Sequence, residues 1–185
     1  KYVRRISGLG VELDTVIFDE LPEQKLNRLI STMSIIGYLL HSFKDESRPW
    51  AVIINEDTPT DGKGGGSGKQ IFTRGLSILR NLKEEDGRQL NMKERFAFQG
   101  VSEDHDLFVM DDVNKNFKLD TMYRMFTNDM VIEERNKGRK VIPFKKSPKF
   151  VFSTNYAITG TEEANHLKRR VQHFFLSDYY GPENQ

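Results

Sequence analysis

The stretch TDGKGGGSGKQIF, residues 60–72, carries five glycines in the seven positions 62–68 and a lysine directly after them. Phosphate oxygens need backbone N–H donors at close range, and glycine alone permits both the unusual dihedrals and the unobstructed approach. A helix opening right after such a loop adds its partial positive charge, and a lysine at its start reaches the outer phosphates. Gly64, Gly65, Gly66, Ser67, Gly68, Lys69 and Gln70 are therefore the candidate nucleotide-binding residues. The plainer reading is a flexible Gly–Ser linker, which would need neither the lysine nor the apolar run that precedes it. Two positions depart from the seven-residue phosphate-loop pattern: counting back from Lys69 its first place is Lys63 rather than glycine, and Gln70 stands where a hydroxyl residue is usual.

Asp111 and Asp112 end the apolar run LFVMDDV. Paired aspartates at a buried strand end are expensive without a cation. On a phosphate-loop scaffold one such carboxylate holds magnesium and its neighbour orients water, and strand alternation points the two in different directions. Asp111 is assigned to magnesium and Asp112 to water; a loop that merely opens with polar residues is the alternative. Thr154 and Asn155 end KFVFSTN, where an amide can position water against a γ-phosphate, or simply favour a turn. Residues 135–149 hold seven Lys or Arg, at 135, 137, 139, 140, 145, 146 and 149, and no acid. In a chain of net charge +1 that asymmetry suits a nucleic-acid backbone, although a charged edge hairpin would look the same. Arg135, Lys137, Arg139 and Lys140 at the hairpin tip are the candidate DNA contacts. Arg169 and Arg170 either complement a helix dipole or act as arginine fingers in a neighbouring subunit. His41, His105, His166 and His173 have no metal-ligand spacing.

These residues need elements to hold them. Residues 21–43 read as a helix, with Pro22 in its first turn, a stripe of Leu26, Leu29, Ile30, Met33, Ile36 and Leu40, and a break or kink at Gly37. WAVIINE (50–56) is a buried strand, KQIFTRGLSILRNL (69–82) a helix with Ile71, Phe72, Leu76, Ile78 and Leu79 inward, and RFAFQGV (95–101) an alternating strand. LFVMDDV is a further strand, KLDTMYRMFTND a helix, residues 130–144 a hairpin turning at 136–138, KFVFSTN a buried strand, 161–170 a helix capped by Thr161, and 171–180 a last strand. Alternation of strands and helices predicts a mostly parallel α/β sheet. At 185 residues, 37% hydrophobic and 30% charged, the chain is expected to form one globular domain. The absence of cysteine suits a reducing, cytoplasmic setting, and no run is long enough to span a membrane. A first residue of Lys1 rather than Met is what a piece of a longer protein would show.

The stretches GGGSGKQIF, LFVMDDVNKNF, NDMVIEERNKGRKVIPFKKSPKFVFSTNY and RRVQHFFLSDYY, in that order, resemble the superfamily 3 helicases of viruses, phages and plasmids. More narrowly, the chain resembles the helicase part of phage-type primase–helicases of bacterial mobile elements. The resemblance runs from about Trp50 to about Tyr180. It implies a P-loop NTPase of the AAA+ type: a mostly parallel five-stranded sheet flanked by helices, a β-hairpin insertion, and a short helical N-terminal segment. Residues 1–48 would be a collar-like segment or the end of a preceding region, 49–180 the ATPase core and 181–185 a tail. It further implies ATP and magnesium as cofactors, a hexameric ring around single-stranded DNA, and a primase domain or partner.

On that resemblance Lys69 and its loop match the Walker A motif, Asp111 and Asp112 match Walker B, and Asn155 matches the sensor asparagine. The hairpin around Lys137 matches the element projected into the ring's channel, and Arg169 or Arg170 the trans-acting arginine. Gln70 would offer magnesium its carbonyl oxygen, directly or through water. The expected activity is an ATP-dependent DNA helicase or translocase. A P-loop small-molecule kinase and a non-catalytic nucleotide-binding assembly module are the rivals.

Overall fold

The computed structural model describes residues 22–56, 68–92, 94–156 and 165–177. In chain order these form α1 (Glu23–Leu40), β1 (Ala51–Glu56), α2 (Lys69–Leu79), β2 (Leu82–Asp86) and β3 (Leu107–Asp111). A 3₁₀ turn (Leu119–Met122) runs into α3 (Tyr123–Thr127), followed by the hairpin β4 (Met130–Glu134) and β5 (Gly138–Ile142). A second 3₁₀ turn (Phe144–Lys146), β6 (Lys149–Ser153), α4 (Asn165–Lys168) and β7 (Val171–Leu176) complete the described chain.

Five of these strands form a sheet in the order β2-β3-β6-β1-β7, and every neighbouring pair is parallel. The central strands are apolar on both faces, as a doubly covered parallel sheet demands. Ala51, Ile53, Phe108, Met110, Phe150 and Phe152 face one core, and Val52, Ile54, Leu107, Val109 and Val151 the other. The direction of each connection decides which face it covers. Right-handed crossovers running in opposite directions must lie on opposite faces. Only β1 to β2 runs toward the β2 edge, and its helix α2 packs Phe72 and Leu76 into the second core. The connections β2 to β3, β3 to β6 and β6 to β7 run the other way. Their Val101, Phe117, Met122, Phe126, Ile132 and Leu167 all enter the first core. α1 lies beside α2 and adds Ile35 and Leu39 to the second core, so this helix shares the sheet's own interior.

The parallel α/β architecture and the hairpin agree with the sequence reading, and several details correct it. α1 passes through Gly37 without interruption to Leu40. Its buried face is Leu29, Thr32, Ile35 and Leu39, while Ile30, Met33 and Leu40 are exposed. In α2 the inward side chains are Phe72, Thr73 and Leu76, with Ile71, Ile78 and Leu79 outside. Apolar content exceeded the face available, so counting apolar residues chose the wrong stripe. Residues 95–101 are turns, not a strand. Ala97, Gln99 and Val101 donate their N–H groups to the carbonyls of Glu94, Phe96 and Phe98, three residues back in each case. These bonds satisfy the backbone locally, and Phe98 still reaches Phe108, with ring centroids 5.7 Å apart. The strand β2 has the sequence LKEED and no apolar alternation; as an edge strand its charges guard an open side. Among the described residues no helix is long and apolar enough to cross a membrane.

Candidate functional site

β1 and β6 are neighbours whose outgoing connections diverge over opposite faces of the sheet. The crevice at the carboxyl ends of such a strand pair is where open α/β sheets bind ligands. Four elements deliver polar side chains to that edge.

Gly68 precedes α2 with φ +90°, a left-handed conformation glycine adopts without strain. Its carbonyl accepts the N–H of Phe72 at 3.0 Å, which starts the helix and puts Lys69 at its first position. Phe72 anchors that turn against Phe174, with ring centroids 4.9 Å apart. Lys69 Nζ then lies 2.5 Å from Glu56 Oε1, and it also donates to Asn155 Oδ1. Glu56 ends β1 and Asn155 follows β6, so two adjacent strand ends share one ammonium. Lys69 and Glu56 are only 14% and 13% exposed, so solvent screens the pair weakly.

Asn155 is held by its predecessor. Thr154 is fully buried; its Oγ1 donates to Val113 O at 2.7 Å and accepts the N–H of Tyr156 at 3.1 Å, while its own N–H donates to Ile54 O at 3.1 Å. The hydroxyl therefore ties the strand end to the segment after β3 and lets Asn155 turn toward Lys69.

Asp111 closes β3, two strands from β1, about 10 Å away at the usual strand spacing. Its Oδ1 accepts from Ser153 Oγ, and the same hydroxyl oxygen accepts the N–H of Asp112 at 3.1 Å. Ser153 was not singled out in the sequence, although its place in FSTN beside Asn155 was the available signal. Asp112 takes φ +54°, which points it away from its neighbour, and its Oδ2 pairs with Arg88 at 2.6 Å. The two aspartates thus meet different partners, through the left-handed backbone at Asp112 rather than strand alternation, since β3 ends at Asp111. Gly87 is a second residue missed in the sequence. Its N–H donates to Asp111 O at 2.6 Å, and a Cβ there would lie 2.8 Å from that oxygen and from Val113. Only glycine lets the turn after β2 close against β3 at this point.

Gln70 is exposed in the first turn of α2. Gly64, Gly65, Gly66 and Ser67 lie outside the described residues, as does Thr161. Among the described residues no three His, Asp or Glu side chains converge into a metal cage. Magnesium seldom uses one: it binds through one or two carboxylates plus phosphate oxygens and water. Asp111, at the carboxyl end of β3 with Ser153 donating to it, is a carboxylate of that kind.

Arg169 and Arg170 stand at the other end of the sheet. Arg170 O accepts the N–H of Ala51, the first residue of β1, at 2.8 Å, and its guanidinium donates to Ser47 O. The length of β1 puts Arg170 about 16 Å from the Lys69 edge of its own chain. The hairpin is anchored by Met130, Ile132 and Ile142, and its turn uses left-handed Asn136 and Gly138. Arg139 and Lys140 are exposed, Lys137 pairs with Glu134 at 3.2 Å, and Arg135 lies over the Phe96 ring at 5.7 Å. Lys149 leaves the basic cluster altogether. It is 2% exposed, and its ammonium donates to the carbonyls of Tyr38 and His41.

A family model described as a family of unknown function, DUF5906, matches residues 61–170. The chain belongs to the DUF5906 family. The DUF5906 match takes in Lys69, both aspartates, the hairpin, Asn155 and the two arginines, and it begins after Glu56 and ends before β7. No curated protein matches the chain.

Proposed function

We propose that this domain binds a nucleoside triphosphate at the carboxyl edge of the sheet and hydrolyses it to move along single-stranded DNA. The observation that carries the reading is Lys69: first residue of a helix, preceded by a left-handed glycine and a glycine-rich segment, with its ammonium facing the crevice between β1 and β6. A cation that exchangeable side chains hold at a helix N-terminus is suited to the outer phosphates of a nucleotide. Asp111 would hold magnesium, whose charge neutralises the transferring phosphoryl group. Asn155, fixed by Thr154, orients toward the same point as Lys69. Asp112 would polarise water after exchanging its Arg88 partner. Arg169 and Arg170, remote from the site of their own chain, could serve only the site of a neighbour, which suits a ring. The DNA half of the proposal rests on the resemblance to superfamily 3 helicases and on the exposed Arg139, Lys140 and Lys137 of the hairpin.

One observation favours a second reading. Gln70 replaces a hydroxyl ligand and is exposed, which suits a nucleotide-binding assembly module without turnover. ATP hydrolysis measured with and without single-stranded DNA separates the two. DNA-stimulated turnover that disappears in Lys69→Ala is expected. ATP binding without turnover would favour the module, and phosphate transfer to a metabolite without DNA binding would favour a small-molecule kinase.

A further inference from the structure

Glu56 and Lys69 flank the glycine-rich segment on either side: one ends β1, the other begins α2. Their 2.5 Å ion pair joins the end of β1 to the start of α2. It also puts a carboxylate against the ammonium that a polyphosphate would engage. A phosphate group reaching Lys69 meets a like charge of low exposure, and so cannot engage the ammonium fully while Glu56 holds it. Asn155 offers the ammonium a neutral second acceptor from the other side. Among the described residues these three groups allow two settings: ammonium on carboxylate, or ammonium on phosphate with the amide retained.

We infer that Glu56 is a latch on Lys69, a positioning residue that holds the ammonium in the ligand-free protein and takes it back when phosphate leaves. The inference deepens the proposed triphosphate site and rests on it. Such a latch weakens binding of any polyphosphate and speeds its release. It acts on charge, so a neutral isostere separates it from a mere clasp. Glu56→Gln keeps an acceptor for Lys69 while removing the competing charge.

The test uses the full chain and two readouts. Calorimetric titration with magnesium-ATP and with inorganic tripolyphosphate should give about tenfold tighter binding to Glu56→Gln than to the unaltered protein, as expected when a nearby like charge of low exposure is removed. Steady-state hydrolysis should show KM and kcat falling together, because release slows. Glu56→Ala, which also loses the clasp, should bind less tightly than Glu56→Gln. The second readout needs no nucleotide: acylation of Lys69 by an amine-selective ester, followed by peptide mapping, should be several-fold faster in Glu56→Gln. Equal or weaker polyphosphate binding by Glu56→Gln would overturn the latch and leave the nucleotide site standing. Faster acylation with no polyphosphate bound by either protein would overturn the triphosphate site, and the latch with it.

Discussion

Lysines stand at both ends of the same sheet in opposite circumstances. At the carboxyl edge the described partners of Lys69 are a carboxylate and an amide, side chains that can rotate away. At the amino edge Lys149, the first residue of β6, is held by the backbone carbonyls of Tyr38 and His41 and lies 4.0 Å over the Tyr38 ring. Beside it Lys44 donates to Ser147 Oγ at 2.6 Å, to Ser147 O at 3.2 Å and to Pro148 O at 3.3 Å, and covers the Phe144 ring at 4.1 Å. Backbone acceptors are fixed by the fold. A cation caged largely by them, with only the Ser147 hydroxyl and the His41 ring added, is a rivet joining the α1–β1 connection to the sheet, whereas one held by a carboxylate and an amide can be handed to a ligand. Lysine burial alone therefore says little about function; the kind of acceptor decides.

The largest effect that could break this contrast comes from exchanging the two lysines' fates. Lys69→Ala should lower ATP turnover by at least about a hundredfold, the scale of losing a group that stabilises developing phosphoryl charge. Its denaturation midpoint should fall modestly, because Glu56 at 13% exposure loses its partner, while the protein stays folded. Lys149→Met should keep turnover and lose more stability. It leaves two carbonyls without their donor and destabilises the fold by about 2–3 kcal/mol in chemical denaturation. Loss of turnover in the folded Lys149→Met protein, at temperatures where it is fully native, would sink the contrast.

A smaller effect is expected from pH. Burial pushes the Lys44 ammonium down to about 7 and that of Lys149 down to about 8, with the Lys149 charge adding to the fall at Lys44. Arg80 lowers Lys149 further, and Asp106 opposes it. Both lysines keep their ordinary value of 10.5 when unfolded. Between about pH 7 and 10 the unfolded chain therefore binds protons that the folded chain does not, and stability rises with pH through this window. Well below pH 7 both states are protonated and these groups contribute no slope. The denaturation midpoint followed across the window should climb, and Lys149→Met should flatten the climb. A midpoint that falls over the same range would contradict the caged-lysine account.

The two edges also differ in how far sequence could reveal them. The carboxyl edge was legible because its chemistry lies in short runs: MDD and STN sit at strand ends, Lys69 opens a helix, and the structure brings Lys69 and Asn155 together. What could not be read was pairing across the chain. Glu56 looks like any polar residue closing an apolar run until Lys69 folds back on it. Ser153 and Gly87 acquire meaning only when β3 and β6 lie side by side. At the amino edge Lys149 was counted with the basic cluster because its neighbours in sequence are Lys145 and Lys146. Those two are indeed exposed, and only the docking of Tyr38 and His41 from a segment more than a hundred residues earlier buries the third. Local composition also gave no sign of β2, since an edge strand can be charged on both faces.

The smallest expected effect sharpens the contrast at the hairpin. Lys137 is 78% exposed and its partner Glu134 20% exposed, a pair worth little to stability. Lys137→Ala should leave ATP binding and the denaturation midpoint unchanged while weakening single-stranded DNA binding. If Lys137 meets one phosphate, the slope of log affinity against log salt should become shallower by about 0.7, the share of one contact on a single strand. Glu134→Gln should act in the opposite sense, because it frees the ammonium. Lys149→Met, basic in sequence but caged in the structure, should leave the salt slope unchanged. A shift in slope for Lys149→Met as large as that for Lys137→Ala would mean that charge in sequence, rather than exposure in the fold, governs DNA affinity.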